Sequence, residues 1–232
     1  MKTKRTKSKL LCTICFLLLL FIVPASATDA MIDRSRTQFG DLTANEINYI
    51  NSRMVEARAD MVLIPDVNVI ADYGTGSTSD QDFIDNINSL DETVDMNVVL
   101  IHSHGGADDV NQECAVKFKD SSWLFADEVD NWLDDIDGGF IFVGSCSSAK
   151  YADLGWEFLC EDFDSYFGYR GPVVTLHNAR FYAAFFDLAT FTNVEVCDAA
   201  DYAEDEVEEE FGNADDVGYN RFLGDSDLCL RT

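Results

Sequence analysis

Apolar residues recur along the chain in two patterns that predict alternating helices and strands. Behind the capping box Thr43-Ala44-Asn45-Glu46, apolar residues from Ile47 to Ala57 lie three or four positions apart, which predicts a helix. Continuous apolar runs at 98–101 and 140–143 are typical of strands buried on both faces of a parallel sheet. The other predicted elements are a strand over 61–70 interrupted at Pro65, helices over 82–90 and 123–133, a long helix from Ala152 to Tyr166, a strand over 172–176, and helices over 181–188 and 199–211.

This alternation predicts an α/β fold, in which helical crossovers connect parallel strands. The charge-dense run 204–210 keeps helical apolar spacing through Val207 and Phe211, so we expect a solvated helix face there. No internal repeat or interdomain linker is visible. We divide the chain into a signal peptide (1–27), an N-terminal helical segment (28–60) and an α/β domain (61–232).

The first 27 residues have the features of a secretory signal peptide. A basic start is followed by the apolar run Leu10 to Val23 and by the small residues Ala25-Ser26-Ala27. The run is shorter than the roughly 20 residues that span a bilayer. We therefore expect cleavage after Ala27 and a secreted or extracytoplasmic protein without further membrane association; an uncleaved anchor is the alternative.

The chain is strongly acidic, with 43 Asp and Glu against 16 Lys and Arg and a formal net charge of −27. Such a charge repels nucleic acid and anionic lipid, and it suits a cationic partner or a high-salt medium. Of these two interpretations we favour an acidic surface that keeps the protein soluble in concentrated salt. No calcium loop, P-loop or dinucleotide fingerprint is present, so no cofactor is expected.

Five cysteines remain after the signal peptide: Cys114, Cys146, Cys160, Cys197 and Cys229. Export permits disulfides, and an odd number leaves at least one free thiol unless chains pair. If Cys146 is free, the other four could form two bridges in any of three connectivities. Alternatively, several are small buried apolar residues.

Chemically reactive side chains follow the two strongest strand signals. His102 and His104 come directly after the run at 98–101, and Cys146 follows the run at 140–143. Ligands bind at the carboxyl ends of strands in open parallel sheets, so these side chains can lie side by side. Since a thiol becomes a strong nucleophile when a base is adjacent, the pattern predicts a Cys–His pair.

Small residues surround both strand ends: Gly105 and Gly106 after the histidines, and Gly144, Ser145, Ser147 and Ser148 around the cysteine. Glycine lets backbone amides approach a substrate carbonyl closely. We predict that the amides of Gly105 and Cys146 form an oxyanion hole.

These motifs resemble those of the caspase-like cysteine peptidases, which include caspases, legumain, clostripain and gingipains. The matching stretches are 98–106, an apolar strand and then His-Gly, and 140–146, an apolar strand and then a small residue and Cys. Caspases place their His about 50 residues before their Cys. His104 precedes Cys146 by 42 positions (146 − 104), which is compatible with that spacing. The segment 222–230 is also similar to the close of gingipain-like domains, with Ser226 in place of Pro.

The resemblance implies a three-layer sandwich with a mostly parallel central sheet and helices on both faces. It also implies a thiol endopeptidase that acts on a peptide or protein substrate. Cys146 would be the nucleophile and His104, which precedes the glycine, the base. His102 would share a face with His104 and orient it or bind substrate.

Substrate specificity cannot be carried over from the family. Gly144-Ser145-Cys146-Ser147-Ser148 replaces the caspase pentapeptide, and legumain's Glu before the cysteine is absent. The first pocket of such peptidases is lined partly from the segment after the opening strand, where Asp72 would favour Arg or Lys in the substrate. The alternative is that Asp72 is one surface acid among many. Ser145 and Ser147 are further candidate substrate contacts. His177, expected at the end of the predicted strand 172–176, could line the cleft or be structural.

Three other functions fit parts of the pattern. A caspase-like domain without activity could serve as a binding or scaffold module. A metal hydrolase could use His102 and His104 with Asp108 or Asp109, although catalytic zinc usually has three protein ligands. An α/β-hydrolase with a cysteine elbow would need a glycine where Ser148 stands.

Overall fold

The computed structural model describes residues 28–34, 42–64, 67–72, 79–89 and 96–231; the predicted signal peptide lies outside them. The strands are β1 (Thr28–Asp33), β2 (Val67–Asp72), β3 (Met96–His102), β4 (His104–Asp108), β5 (Glu113–Lys117), β6 (Trp123–Leu124), β7 (Gly139–Gly144), β8 (Ser165–Tyr169) and β9 (Asn220–Gly224). The helices are α1 (Ala44–Met61), α2 (Asp80–Asn88), α3 (Ala126–Trp132), α4 (Asp153–Cys160), α5 (Thr175–Ala189), α6 (Val196–Phe211) and α7 (Asp215–Gly218).

The main sheet has the strand order β2-β1-β3-β7-β8-β9. Its first five strands are parallel and β9 pairs antiparallel with β8. A second, antiparallel sheet of β4, β5 and β6 follows directly after β3. The predicted α/β fold with a mostly parallel sheet is therefore confirmed.

Alternation along the strands separates two apolar layers on opposite faces of the sheet. Val98 and Leu100 of β3 belong to a core cluster with α1, α5 and α6, whereas Val99 and Ile101 belong to one with α2, α3, α4 and β5. Aromatic rings fill the first layer, and the rings of Phe142 and Phe167 stack at a centroid distance of 4.4 Å. Continuing the alternation, His102 points into the layer of α1 and α5.

Several predicted elements are confirmed. α1 begins at the capping box, where the Thr43 side chain accepts from the Glu46 amide and the Glu46 carboxylate accepts from the Thr43 amide. The apolar runs at 98–101 and 140–143 lie in the adjacent central strands β3 and β7, where they are buried. The helices predicted over 82–90, 181–188 and 199–211 correspond to α2, to the later part of α5 and to α6.

Other predicted elements are wrong. The predicted helical segment 28–60 contains β1, a strand inside the main sheet, as well as α1. The predicted strand over 61–70 is wrong at its start, because Met61 ends α1 and residues 62–64 form a turn, whereas β2 begins at Val67. The predicted interruption at Pro65 lies outside the described residues. Trp123 lies in a short strand before α3.

The region after the cysteine also differs from prediction. α4 ends at Cys160, and Tyr166 lies in β8 rather than in one long helix. Residues 172–174 form a loop and not a strand, and α5 begins at Thr175. Within the described residues, no helix combines the length and the apolar character needed to cross a membrane.

Candidate active site

The carboxyl ends of β3 and β7 are adjacent, because His102 pairs in register with Gly144. The Ser103 amide continues this contact and donates to the Gly144 carbonyl at 3.3 Å. A cavity of about 160 Å³ opens at this point. Its lining residues are His102, Ser103, His104, Cys146, Val173, Thr175 and Asn178. The two histidines and the cysteine thus lie at one cavity.

Cys146 stands on a tightly hydrogen-bonded turn. The Ser145 amide donates to the Val143 carbonyl at 2.9 Å, and Ser147 has the left-handed φ of 58°. The Ser147 amide donates to the Gly171 carbonyl at 2.9 Å, and the buried Ser148 hydroxyl contacts the carbonyl oxygens of Val143 and Ser145 at 3.0 and 2.9 Å. These bonds fix the backbone that presents the thiol.

The Cys146 thiol is half-buried and lies against the backbone of Val173. Its Sγ is 3.4 Å from the Val173 amide nitrogen and 3.5 Å from the Val173 carbonyl oxygen. All five cysteines in the described part of the chain are free thiols. Among these five cysteines the structure therefore contains neither of the two bridges that the sequence left possible.

Cys114 is a buried apolar residue, as one interpretation of the cysteines expected. Burial is the largest cause that raises the pKa of its thiol to about 12. Its Sγ accepts from the Tyr151 amide at 3.2 Å. At neutral pH it is a poor nucleophile.

His102 is almost fully buried and contacts the aromatic layer beneath the site. Its Nδ1 is 3.3 Å from the Tyr182 hydroxyl, which lies 3.3 Å from the Ile50 carbonyl oxygen. The rings of His102 and Tyr182 meet edge to face at a centroid distance of 5.4 Å. His102 is thus anchored to α1 and α5 while it lines the cavity.

His104 begins β4 and is less buried than His102. It pairs with Lys117 across the small sheet, so its backbone position is set by β5. Because it lines the same cavity as Cys146, the positions predicted for nucleophile and base are brought together.

Gly105 packs directly against the cysteine turn. A Cβ on this glycine would lie 2.5 Å from the Cys146 carbonyl oxygen and 2.7 Å from the Ser145 Oγ. Only a glycine lets the two backbone segments approach so closely. The buried Ser145 Oγ has no hydrogen-bond partner among the described residues.

Sequence reasoning missed Asn178, which supports the site from α5. Its Nδ2 donates to the Gly144 carbonyl at 2.9 Å, and its Oδ1 accepts from the Tyr169 hydroxyl at 3.0 Å. A Cβ on Gly144 would lie 2.9 Å from the Asn178 side chain. The sequence offers one signal for this role: the polar residue Asn178 stands among the mostly apolar buried residues of a helix.

His177 does not end a strand, contrary to prediction, and it is not among the residues that line the cavity, which agrees with the structural alternative. It lies in the first turn of α5, and its Nδ1 is 2.8 Å from Asp216 Oδ1. Asp216 Oδ2 accepts from the Val174 amide at 2.7 Å. The pair therefore anchors the loop that contacts the thiol.

Two further predicted substrate contacts are Asp72 and Ser147. Asp72 ends β2, and its side chain lies outside the described part of the structure. Ser147 is part of the cysteine turn, but it does not line the cavity.

The geometry does not favour the metal alternative. Asp109 binds the Lys150 ammonium and the Tyr151 hydroxyl at 2.5 and 2.9 Å, and Asp108 caps a turn through the Val110 amide. In the described ranges, the acidic and thiol groups close enough to share an ion are Glu195, Cys197 and Asp198, which do not line the cavity.

Solved structures with the same architecture are cysteine peptidases. The Arg-specific cysteine proteinase gingipain R matches 89% of the chain with a TM-score of 0.58 at 11% identity, and the chain spans about half (48%) of that protein. The Drosophila initiator caspase Dronc matches 87% with a TM-score of 0.54 at 10% identity, over 80% of its own length. Caspase-1 from Spodoptera frugiperda matches 86% with a TM-score of 0.50 at 12% identity, over 87% of its length. The chain has the caspase-like fold.

A curated protein of Archaeoglobus fulgidus, described as uncharacterized, is 48% identical over 186 residues. The match covers 79% of this chain and 95% of the archaeal protein. The chain therefore belongs to the same family as that protein. No protein-family model matches the chain.

Proposed function

We propose that the protein is a secreted cysteine endopeptidase in which Cys146 is the nucleophile and His104 the base. The observation that carries the proposal is the single cavity shared by Cys146 and His104 at the adjoining ends of β7 and β3. The caspase-like fold of known cysteine peptidases supports it.

The first chemical step forms a covalent intermediate. His104 takes the thiol proton, and Cys146 Sγ attacks the carbonyl carbon of the substrate. In this proposal the resulting oxyanion accepts hydrogen bonds from the amides of Gly105 and Cys146. The close packing of Gly105 against the cysteine turn supports this pairing.

Collapse of this intermediate releases the first product. Protonated His104 donates its proton to the leaving amine as the C–N bond breaks, which leaves a thioester on Cys146. Water then attacks the thioester with His104 as base, and the thiol is restored as the carboxylic acid product departs. His102, held by Tyr182, helps to keep this edge of the cavity in place.

Secretion is part of the proposal because residues 1–27 have signal-peptide features and Asp and Glu far outnumber Lys and Arg. An acidic surface stays hydrated outside the cell, including in concentrated salt. Cleavage after Arg or Lys, through Asp72, is the specificity that the sequence pattern suggests.

A cleavage assay tests the proposal. Purified mature protein is incubated with a mixture of peptides of diverse sequence, in low and in high salt, and products are identified by mass spectrometry. We expect peptide-bond cleavage that Cys146→Ala and His104→Ala both abolish.

The matched control is Cys160→Ala, which removes an exposed cysteine outside the cavity. This variant is expected to cleave at the wild-type rate. A wild-type protein that binds peptides without cleaving them would support the non-catalytic binding module instead.

A further inference from the structure

The antiparallel sheet that follows β3 presents one side to the core and the other outward. Cys114 and Val116 of β5 belong to the buried cluster beneath the sheet. Their neighbours along β5 therefore face away from the core. On this outer face His104 pairs directly with Lys117, and Lys117 pairs directly with Trp123. His104 and Trp123 thus share one face of the sheet.

A cleft of about 270 Å³ lies on this outer side, two residues along β4 from His104. We call it the hairpin cleft, and its lining residues are Gly106, Ala107, Asp108, Glu113, Ala115, Trp123 and Phe125. Gly106 and Ala115 are direct partners, and their small size leaves room beneath the Trp123 ring. The cleft does not share a lining residue with the cavity that contains Cys146.

The chemistry of the hairpin cleft suits a long side chain with a positive end. Trp123 and Phe125 supply aromatic wall, and Trp123 keeps 37% of its surface exposed. The Lys117 ammonium lies 5.5 Å from the centroid of the Trp123 ring, so a cation is already accommodated near that ring.

The other end of the hairpin cleft is acidic. Asp108 and Glu113 are directly opposite partners on β4 and β5, and both line the cleft. Like charges directly opposite each other destabilise an antiparallel pair. A ligand cation between them would relieve that repulsion, and an aliphatic stem would cover the aromatic wall.

We propose that the hairpin cleft is a substrate subsite for a lysine or arginine side chain on the carboxy-terminal side of the scissile bond. The inference rests on the proposed function. In that mechanism His104 protonates the leaving amine, so the leaving segment of the substrate passes His104. The Cys146 cavity lies at one side of His104 and the hairpin cleft lies further along β4, where that segment can reach it.

The kinetic test uses quenched fluorescent peptides that are identical up to the scissile bond. Each of the first three positions after the bond carries in turn Lys, Arg, norleucine or Glu. We expect one position at which Lys or Arg raises kcat/KM about tenfold over norleucine, because the positive charge is then paired in a partly desolvated site. Glu at that position is expected to be the poorest substrate.

The variant that removes the charge is Asp108→Asn with Glu113→Gln, which keeps the size of each side chain. The Asp108 carboxylate accepts from the Val110 amide and from Asn111 Nδ2, and the substituted side chain keeps the first of these contacts but not the second. The double variant should reduce the preference for Lys or Arg over norleucine, taken as the ratio of the two kcat/KM values in the same variant, to within about twofold. The matched control, Asp130→Asn with Asp134→Asn, removes two exposed charges near α3 and should keep the preference. An unchanged preference in the cleft variant, or none in the wild type, would overturn the proposal.

A binding measurement separates this proposal from the proposed activity. Cys146→Ala protein is titrated with short Lys-containing and norleucine-containing peptides while the amide resonances of Gly106 and Ala115 are followed by NMR. Tighter binding of the lysine peptide at these amides supports the hairpin cleft even if the wild type cleaves nothing. Equal binding of both peptides contradicts it, even if the wild type is an active peptidase.

Discussion

Gly105 and Cys146 belong to different strand ends, yet their backbones pack so closely that a Cβ on Gly105 would lie 2.5 Å from the Cys146 carbonyl oxygen. The contact joins the turn carrying the thiol to the strand carrying His104. In the proposed mechanism, the same contact sets the spacing of the two amides that receive the oxyanion.

Gly105→Ala tests this contact. The added methyl group must push one backbone away from the other, which we expect to cost at least the ~1–3 kcal/mol typical of overpacking. We also expect kcat to fall by roughly 100-fold or more, because the amides that stabilise the oxyanion move. Thermal unfolding and peptide cleavage measure the two effects.

The matched variant for stability is Gly106→Ala, where the nearest atom to an added Cβ is 3.9 Å away. It should unfold near the wild-type temperature. Similar losses of stability in both variants would show that the Gly105 contact is not specially tight.

Asn178→Ala tests the support beneath Gly144. The substitution leaves the Gly144 carbonyl without its 2.9 Å donor and leaves the Tyr169 hydroxyl without its 3.0 Å acceptor. Since both groups are buried, we expect a loss of about 1–3 kcal/mol in the free energy of unfolding. Urea denaturation provides the measurement. Tyr169→Phe removes only one of the two bonds and should cost less; an Asn178→Ala protein as stable as wild type would contradict the assignment.

Asp216→Ala tests the anchoring of the Val173–Val174 loop. The Asp216 carboxylate holds the Val174 amide and His177, and the neighbouring Val173 backbone contacts the Cys146 thiol. Without the carboxylate the loop should move, and we expect kcat to fall about tenfold with a smaller change in KM, because a misplaced nucleophile affects the chemical step most. The exposed Asp215 on the same helix provides the control Asp215→Ala. If Asp216→Ala and Asp215→Ala changed kcat equally, Asp216 would not be the residue that positions the loop beside Cys146.

The buried thiol of Cys114 predicts a dependence of stability on alkaline pH. Burial raises its pKa to about 12 in the folded protein, compared with 9.0 when exposed. Above pH 9 the unfolded state loses the proton and the folded state does not, so this contribution to stability is complete below pH 9 and is lost as pH rises toward 12. The free energy of unfolding of wild type and Cys114→Ala, measured by urea between pH 8 and about 10, should differ in slope, with the steeper fall in wild type. Identical slopes would contradict the assignment.

The sequence predicted which two strand ends meet better than it predicted the helices, strands and loops around them. The apolar runs before His102 and Cys146 are unambiguous because both faces of β3 and β7 are buried. Adjacent strand ends then follow from the general geometry of parallel sheets. That reasoning located His104, Gly105 and Cys146 without any knowledge of the loops.

The missed elements are those whose conformation depends on tertiary contacts. β1 is short and has only three consecutive apolar residues between polar ends, so its sequence did not stand out. Val173 and Val174 are β-branched, but contacts with Cys146 and Asp216 hold them as a loop. Tyr166 continues the helical spacing of α4 although it lies in β8, where its hydroxyl reaches the Ser148 carbonyl at 2.8 Å.

The most direct test of the Cys146–His104 pair is the alkylation rate of Cys146 by iodoacetamide as a function of pH, followed by mass spectrometry in wild type and His104→Ala. If the imidazole activates the sulfur, Cys146 in wild type reacts at neutral pH much faster than a cysteine in an unfolded peptide, and His104→Ala loses that advantage. An acyloxymethyl ketone peptide should compete for the same sulfur. A Cys146 that reacts no faster than the peptide thiol, with the same pH profile in both proteins, would contradict the account.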